Sequence, residues 1–346
     1  MSKLPRRQLA LGAAGVLAGG FVTTRLLPEE MLLRDRRPRQ SRVAVISAEK
    51  YSEQLGQVLL SGLRLFQLDV RGKSVLLKPN LVEYIAGVEV NTHPLLVGAA
   101  AEVFLKLGAG NVVVGEGPGH QRDTYLVLVE SGLDAQLRSQ KISFVDLNRD
   151  GIFKVPTKAT YTGLDHLWLP RTVLTSDLVI SMPKIKTHHW AGVTLAMKNM
   201  FGVVPGAKYG WPKNVLHWRG IHRSILDICA TAPVHFVVAD GIIAMEGNGP
   251  LHGTHRHLGK VVLADDPVAA DFTCARLMGL NPYRVWHLDR AARFLGNGSH
   301  ERIDMIAEEL PQQPIPFDVL PEFANLQTRA SATPKRPQPQ PRVRRV

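Results

Sequence analysis

Cysteine is nearly absent from this 346-residue chain: only Cys229 and Cys274 occur, 45 positions apart and in no CxxC pair. That excludes an iron–sulfur cluster or a cysteine-ligated zinc held by this chain alone. The spacing reads as two buried thiols rather than a disulfide. Aromatic residues make up 6% of the chain, and no HEXXH metalloprotease helix is present. No apolar run reaches the ~18 residues a membrane-spanning helix needs.

Net charge is also missing from the centre. The chain carries +12 overall, yet residues 1–42 hold nine Lys/Arg against three Asp/Glu, and residues 328–346 hold six against none. Residues 43–327 therefore hold 27 of each sign and are neutral. Basicity confined to the tails, without aromatic interleaving in the core, speaks against nucleic acid as a partner.

What is there begins with Arg6-Arg7 ahead of Leu9–Val22, a Gly/Ala-rich apolar run. This pattern suits a bacterial twin-arginine export signal over residues 1–24, placing the protein in the periplasm or anchored facing it. The residue two after the pair is Leu9 and no A-x-A site follows, so an uncleaved anchor is the expected membrane contact. Residues 25–42 read as a charged linker and 311–346 as a Pro/Arg-rich disordered tail.

Between them, strands and helices alternate. Strands are predicted at Arg42–Ala48, Ser74–Val82, Asn111–Val114, Ile142–Leu147, Asp177–Met182, Val234–Ala239 and Lys260–Ala264. Helices are predicted over Ser52–Leu68, Pro94–Leu107, Asp123–Ser131, 220–230, Pro267–Met278 and Asn281–Leu295. Residues 149–170 read as a hairpin. This rhythm predicts an α/β domain over 43–310, a mostly parallel sheet with helices on both faces, divisible into lobes 43–148 and 171–310.

Polar, glycine-rich loops fall at the predicted strand ends: Lys78–Asn80, Asn91–Pro94, Gly115–His120, Lys184–Asn199 and Asp240–Pro250. In an open parallel sheet such ends line the ligand crevice. The densest is Ser181–Gly206, with Lys184, Lys186, His188, His189, Lys198 and Asn199 in an otherwise apolar or glycine-rich segment. Buried lysines require an anionic partner, so Lys78, Asn80, His93, Lys184, Lys186, Lys198, Asn199 and Asp240 are candidate ligand-binding residues. His120 and His188 fall in two of these loops, and imidazole, which titrates near neutral pH, is the usual general acid or base there. Asp240 and Glu246 have the chemistry to take a metal or a proton. Asp265-Asp266-Pro267 reads as a helix N-terminal cluster, with Asp271 facing inward.

Leu77-Lys-Pro-Asn80, Met182-Pro-Lys-Ile-Lys-Thr-His188, Thr194–Gly202, Asp240-Gly-Ile with Gly249-Pro250, and Asp266–Asp271 stand here in one order. Together they resemble the bacterial and archaeal family known as DUF362, over roughly 43–310. Many members of that family carry a ferredoxin-like iron–sulfur domain, whose cysteines this chain lacks. More distantly, Thr92-His-Pro94, Gly119-His-Gln-Arg122, His188 with Ala191-Gly192 and Lys198, Pro205-Gly206 and His217 are similar to the nickel-pincer lactate racemases. That resemblance implies a His120/His188 pair exchanging the substrate's proton, Lys198 holding a cofactor, and His217 ligating a metal. His93 in place of an arginine, and Ala196-Met197 in place of a glycine pair, depart from that pattern. Two functions are expected to compete. One is an exported enzyme moving a proton or hydride on a small carboxylate or phosphate ligand. The other is a non-catalytic periplasmic module that binds a cofactor or metal and serves a redox partner.

Overall fold

The apolar runs and glycine stops do fold as an alternating α/β chain, and its computed structural model describes residues 35–119, 123–312, 314 and 316–328. In chain order the strands are β1 (Ser41–Ser47), β2 (Ser74–Pro79), β3 (Asn111–Glu116), β4 (Ser143–Asp146), β5 (Ile152–Pro156), β6 (His166–Pro170), β7 (Leu178–Met182), β8 (Lys184–His188), β9 (Gly192–Thr194), β10 (Phe236–Asn248), β11 (His252–Ala264) and β12 (Ile303–Met305). The helices are α1 (Leu55–Leu63), α2 (Pro94–Lys106), α3 (Thr124–Glu130), α4 (Leu133–Ser139), α5 (Arg171–Thr175), α6 (Ala196–Asn199), α7 (Gly206–Tyr209), α8 (Asn214–Trp218), α9 (Ile221–Thr231), α10 (Pro267–Leu277) and α11 (Trp286–Ala291).

Among the described residues the main sheet runs β12-β1-β11-β10-β7-β2-β3-β4, with β8 paired to the far part of β10 and β9 to β8. All pairings from β10 through β7, β2 and β3 to β4 are parallel, and β11 and β9 run against their neighbours. A mostly parallel sheet must be covered on both faces. Alternation in β2 shows how: Val75 and Leu77 pack with α1 to α4, whereas Leu76 joins the core beneath α6, α9, α10 and α11. Strands from the two expected lobes interleave in this one sheet. β5 and β6 form the separate hairpin that the 149–170 alternation predicts.

Helix entries follow the capping residues. The His93 side chain accepts from the Leu95 backbone N–H ahead of Pro94, and Asp266 accepts from Val268 and Ala269 ahead of Pro267. Two stretches differ from expectation. Asp240–Pro250 is not a loop: Asp240–Asn248 extends β10 and pairs with β11 out to His252. Gly241 lies so close to Ile185 and the Lys260 carbonyl that a side chain there would collide, so this glycine permits sheet packing rather than a turn. Residues 316–328, read from sequence as tail, pack on the domain: Phe317 and Leu326 are buried, and Phe317 N–H donates to the Met278 carbonyl.

Candidate functional site

Three parallel strands, β2, β3 and β7, end side by side, and the loops leaving them enclose a cavity of about 170 Å³. Its floor is a closed knot. Lys78 Nζ donates to Glu116 Oε2, to Asn199 Oδ1 (2.8 Å) and to the Pro79 carbonyl (2.9 Å). Glu116 also accepts from the backbone N–H groups of Leu81 (3.2 Å) and Gly117 (2.8 Å). Asn199 Nδ2 donates to the Lys78 carbonyl and to Ser181 Oγ. Burial pulls the Lys78 ammonium below its ordinary value and the Glu116 carboxylate opposes this. All three Lys78 hydrogens are committed, so Lys78 and Asn199 are scaffold, although sequence reading placed both among the ligand contacts.

Above the floor the lysines are less committed. Lys186 makes one bond, to the Val90 carbonyl (2.8 Å), and burial followed by repulsion from Lys184 and Lys198 holds it well below the usual lysine range. Lys213 donates to the carbonyls of Gly117 and Phe201, both at 2.8 Å. Burial brings its pKa to about 7, against the opposing pull of Glu116. Its backbone sits in the left-handed region at φ 66°, strain that a non-glycine residue adopts only where its surroundings impose it. Lys198 Nζ has no hydrogen-bond acceptor or carboxylate partner among the described residues. It lies 4.6 Å from the centre of the Phe201 ring, and burial and then Lys78 lower its pKa to about 8. Asn80 Oδ1 and Thr194 Oγ1 also line the cavity, buried and without a hydrogen-bond partner among the described residues. Lys213 is the site residue that sequence reading missed: its spacing does not separate it from exposed Lys208.

Three histidines line the cavity: His189 Nδ1 lies 2.8 Å from the Gly249 carbonyl, and His188 and His217 are held in opposite tautomers. His188 Nδ1 accepts from the backbone N–H groups of Trp190 (3.0 Å) and Ala191 (3.2 Å), which leaves its proton on Nε2. Burial, then Lys198, drives its pKa well below the ordinary value. His188 is thus a fixed donor, and the expected proton-abstracting role does not suit it. His217 Nδ1 lies 3.2 Å from the Lys213 carbonyl, which can only accept, so His217 keeps its lone pair on Nε2. Burial lowers its pKa too. Its ring packs against Trp190 (5.4 Å) and Phe201 (5.2 Å).

Other expected site residues gather elsewhere. Lys184 Nζ donates to Tyr51 Oη and to Asp240 Oδ2, each at 2.8 Å, and Asp240 also accepts from the His93 backbone N–H (2.9 Å). The His93 ring stacks on Tyr51 at 3.7 Å. Lys184, His93 and Asp240 therefore form a second self-satisfied knot off the cavity lining. Glu246 accepts from the Asp318 backbone N–H and faces Arg256, fastening the 316–328 segment. Among the described residues no three His, Cys, Asp or Glu side chains group to hold a metal ion. His217 lines the cavity and Glu246 does not, so these two candidate metal ligands stand apart. His120 lies outside the described residues. Asp271, from α10, accepts from the Ala196 (2.6 Å) and Met197 (3.0 Å) backbone N–H groups and so fixes the turn that presents Lys198.

Chemically, the cavity offers cationic or neutral amines, one imidazole donor (His188) and two imidazoles, His189 and His217, whose Nδ1–H donates to a backbone carbonyl and leaves the lone pair on Nε2. The only carboxylate lining it among the described residues, Glu116, is already neutralised. Such a set is complementary to a small anion.

Comparison with known proteins places the chain. A family model described as a domain of unknown function, DUF362, matches residues 75–276. A thylakoid-associated protein from Synechocystis sp. is 31% identical over 220 residues, covering 62% of this chain; the match spans 65% of that relative's length. Among solved structures, the lactate racemase apoprotein from Thermoanaerobacterium thermosaccharolyticum aligns with a TM-score of 0.38 at 15% identity, over 67% of this chain and 56% of that one. A Thermotoga maritima protein aligns with a TM-score of 0.36 at 12% identity, over 62% and 56%.

Proposed function

The chain belongs to the DUF362 family, and from that premise and the cavity's geometry we propose that it is an enzyme acting on a small carboxylate or phosphate compound. The observation that carries this reading is the convergence of Lys186, Lys198, Lys213, His188 and His217 on one cavity of about 170 Å³. The anionic group lies against Lys186 and Lys213, with His188 Nε2–H as a further donor. His217 Nε2 is the base, removing and returning a proton at the carbon next to the anionic group. Negative charge that develops on the substrate is met by donors already in position, which is where electrostatic catalysis gains most.

The lysines make the binding step proton-coupled. With Lys213 at about 7 in the empty cavity, an anion arriving against it favours its charged form and draws a proton from solvent. Calorimetric titration with phosphate and with lactate, in buffers of different ionisation enthalpy at pH 7.5, tests this. Proton uptake on binding, together with deuterium incorporation at the lactate α-carbon, is the expected result. Binding without any exchange would reduce the protein to an anion-binding module, and absence of binding to either compound would remove the reading altogether. We also propose export through the Arg6-Arg7 segment, which lies outside the described residues. A thylakoid-associated relative is in keeping with a membrane-side location.

A further inference from the structure

Lysines in the cavity differ in what they would lose by giving up their hydrogens. Lys78 uses three donors, Lys213 two and Lys186 one, each on a protein acceptor, whereas Lys198 uses none among the described residues. Conversion of an amine to an imine removes N–H hydrogens. At Lys213 it would strand the Gly117 and Phe201 carbonyls, and at Lys78 it would strand Glu116. At Lys198 it strands nothing. An unpaired amine beside other cationic groups, in a pocket with aromatic walls, is the setting in which lysine serves as a nucleophile.

Resting on the anion-site reading above, we propose a further activity of the same cavity: Lys198 forms a Schiff base with a small 2-oxo acid. Nζ attacks the carbonyl carbon while the adjacent carboxylate lies against Lys186 and Lys213. The free amine adds to the carbonyl, forming the C–N bond of a carbinolamine. His217 Nε2 takes a proton released from nitrogen and returns it to the oxygen to give the carbinolamine. The hydroxyl then leaves as water with a second proton from His217 as the C–O bond breaks, and the iminium formed loses its N–H proton back to His217 to give the imine. The net change is one carbonyl and one amine to one imine and one water, with no oxidant or reductant. Phe201 anchors the geometry: Lys198 Nζ lies 4.6 Å and the His217 ring 5.2 Å from the centre of its ring. The ring face then accommodates the cationic iminium. A pKa of about 8 leaves an appreciable fraction of free amine near neutral pH.

Pyruvate with sodium cyanoborohydride, added to the full chain at pH 7.5 and followed by intact mass and peptide mapping, tests the proposal. One reduced pyruvate adduct on the peptide carrying Lys198 is expected, suppressed at least tenfold by excess phosphate and absent from Lys198→Arg, which keeps the charge. Should that variant fail to fold, the wild-type map and the phosphate competition decide alone. An adduct on Lys186 or Lys213, labelling spread over surface lysines, or no adduct overturns the Schiff base. Thermal melts with phosphate run in parallel: stabilisation by phosphate without an adduct leaves the anion site standing, whereas loss of both removes the site itself.

Discussion

Replacing Lys198 with Met should leave the fold intact or slightly stabilised while abolishing the pyruvate adduct, and the size of the stability effect follows from the cavity. Burial first, and then Lys78, lowers the Lys198 pKa from 10.5 to about 8. At about 1.4 kcal/mol per pH unit, holding that proton costs about 3 kcal/mol more in the folded chain than in the unfolded one. Lys198 is partly open to the cavity, so water screens some of this, and about 1–2 kcal/mol is the figure to expect. Met retains most of the side-chain length and volume. It forfeits the ammonium's contact with the Phe201 ring, about 0.5–1 kcal/mol. The net gain at pH 7 is therefore about 0.5–1 kcal/mol, a rise of about 1–4 °C in Tm for a chain of this size.

The pH dependence makes the argument specific. Between about 8 and 10.5 the unfolded chain still holds the Lys198 proton that the folded chain has shed. Wild-type stability therefore rises with pH across that window relative to Lys198→Met. The variant's advantage is full at pH 7 and gone above pH 10.5. Scanning calorimetry of both proteins at pH 7 and pH 10, with and without millimolar phosphate, measures it. Phosphate, held against Lys186 and Lys213, should raise the Tm of both proteins. A loss of about 3–5 kcal/mol in the variant at pH 7 would refute the reasoning, because only removal of one partner from a buried ion pair costs that much.

The opposite behaviour is expected at Glu116→Gln: it strands the Lys78 ammonium and should cost about 3–5 kcal/mol by urea denaturation, a cost below 1 kcal/mol contradicting the scaffold role. For Asp271, burial pushes the carboxyl from 3.8 up to about 8. The folded chain keeps a proton that the unfolded chain releases across that window, so wild-type stability falls as pH rises through it. Asp271→Asn lacks that dependence, and its disadvantage should shrink between pH 4 and pH 8 in parallel melts; a gap that stays constant would count against the buried carboxyl. Substitution of Arg6 and Arg7 by Lys should retain the protein in the cytoplasm on cell fractionation, and unchanged location would remove the export signal. A chain trimmed to 35–328 should fold and show no salt-sensitive DNA binding in gel shifts; a cut at 43 would instead remove Ser41, which opens β1 and donates to Asp266.

Period and punctuation made the sheet legible, because strands covered on both faces must be short apolar runs and their helices must stop at glycine or start at Pro. The same cues misled at β10 and β11, where Gly241 and Gly253 stand because neighbouring backbone and side chains press close, not because the chain turns. At the site, spacing brought Lys186, His188, Lys198 and His217 to the cavity but could not rank them. Lys184 and Lys186 sit at i and i+2 on β8 with identical local sequence logic. Register with β10 sets Asp240 opposite Lys184 and Met245 opposite Lys186. One lysine is thereby neutralised and its neighbour left short of acceptors. Lys213 has no local signal at all, since its acceptors, the Gly117 and Phe201 carbonyls, come from the ends of other elements. His188 and His217 look alike in sequence and differ only in which backbone group reaches Nδ1. Whether a buried lysine or histidine is scaffold or ligand contact depends on how many of its donors and acceptors the fold has already used. By that count Lys78 and Lys184 close the structure beneath and beside the cavity, and Lys198 is the cavity lysine whose bonding capacity is unspent among the described residues.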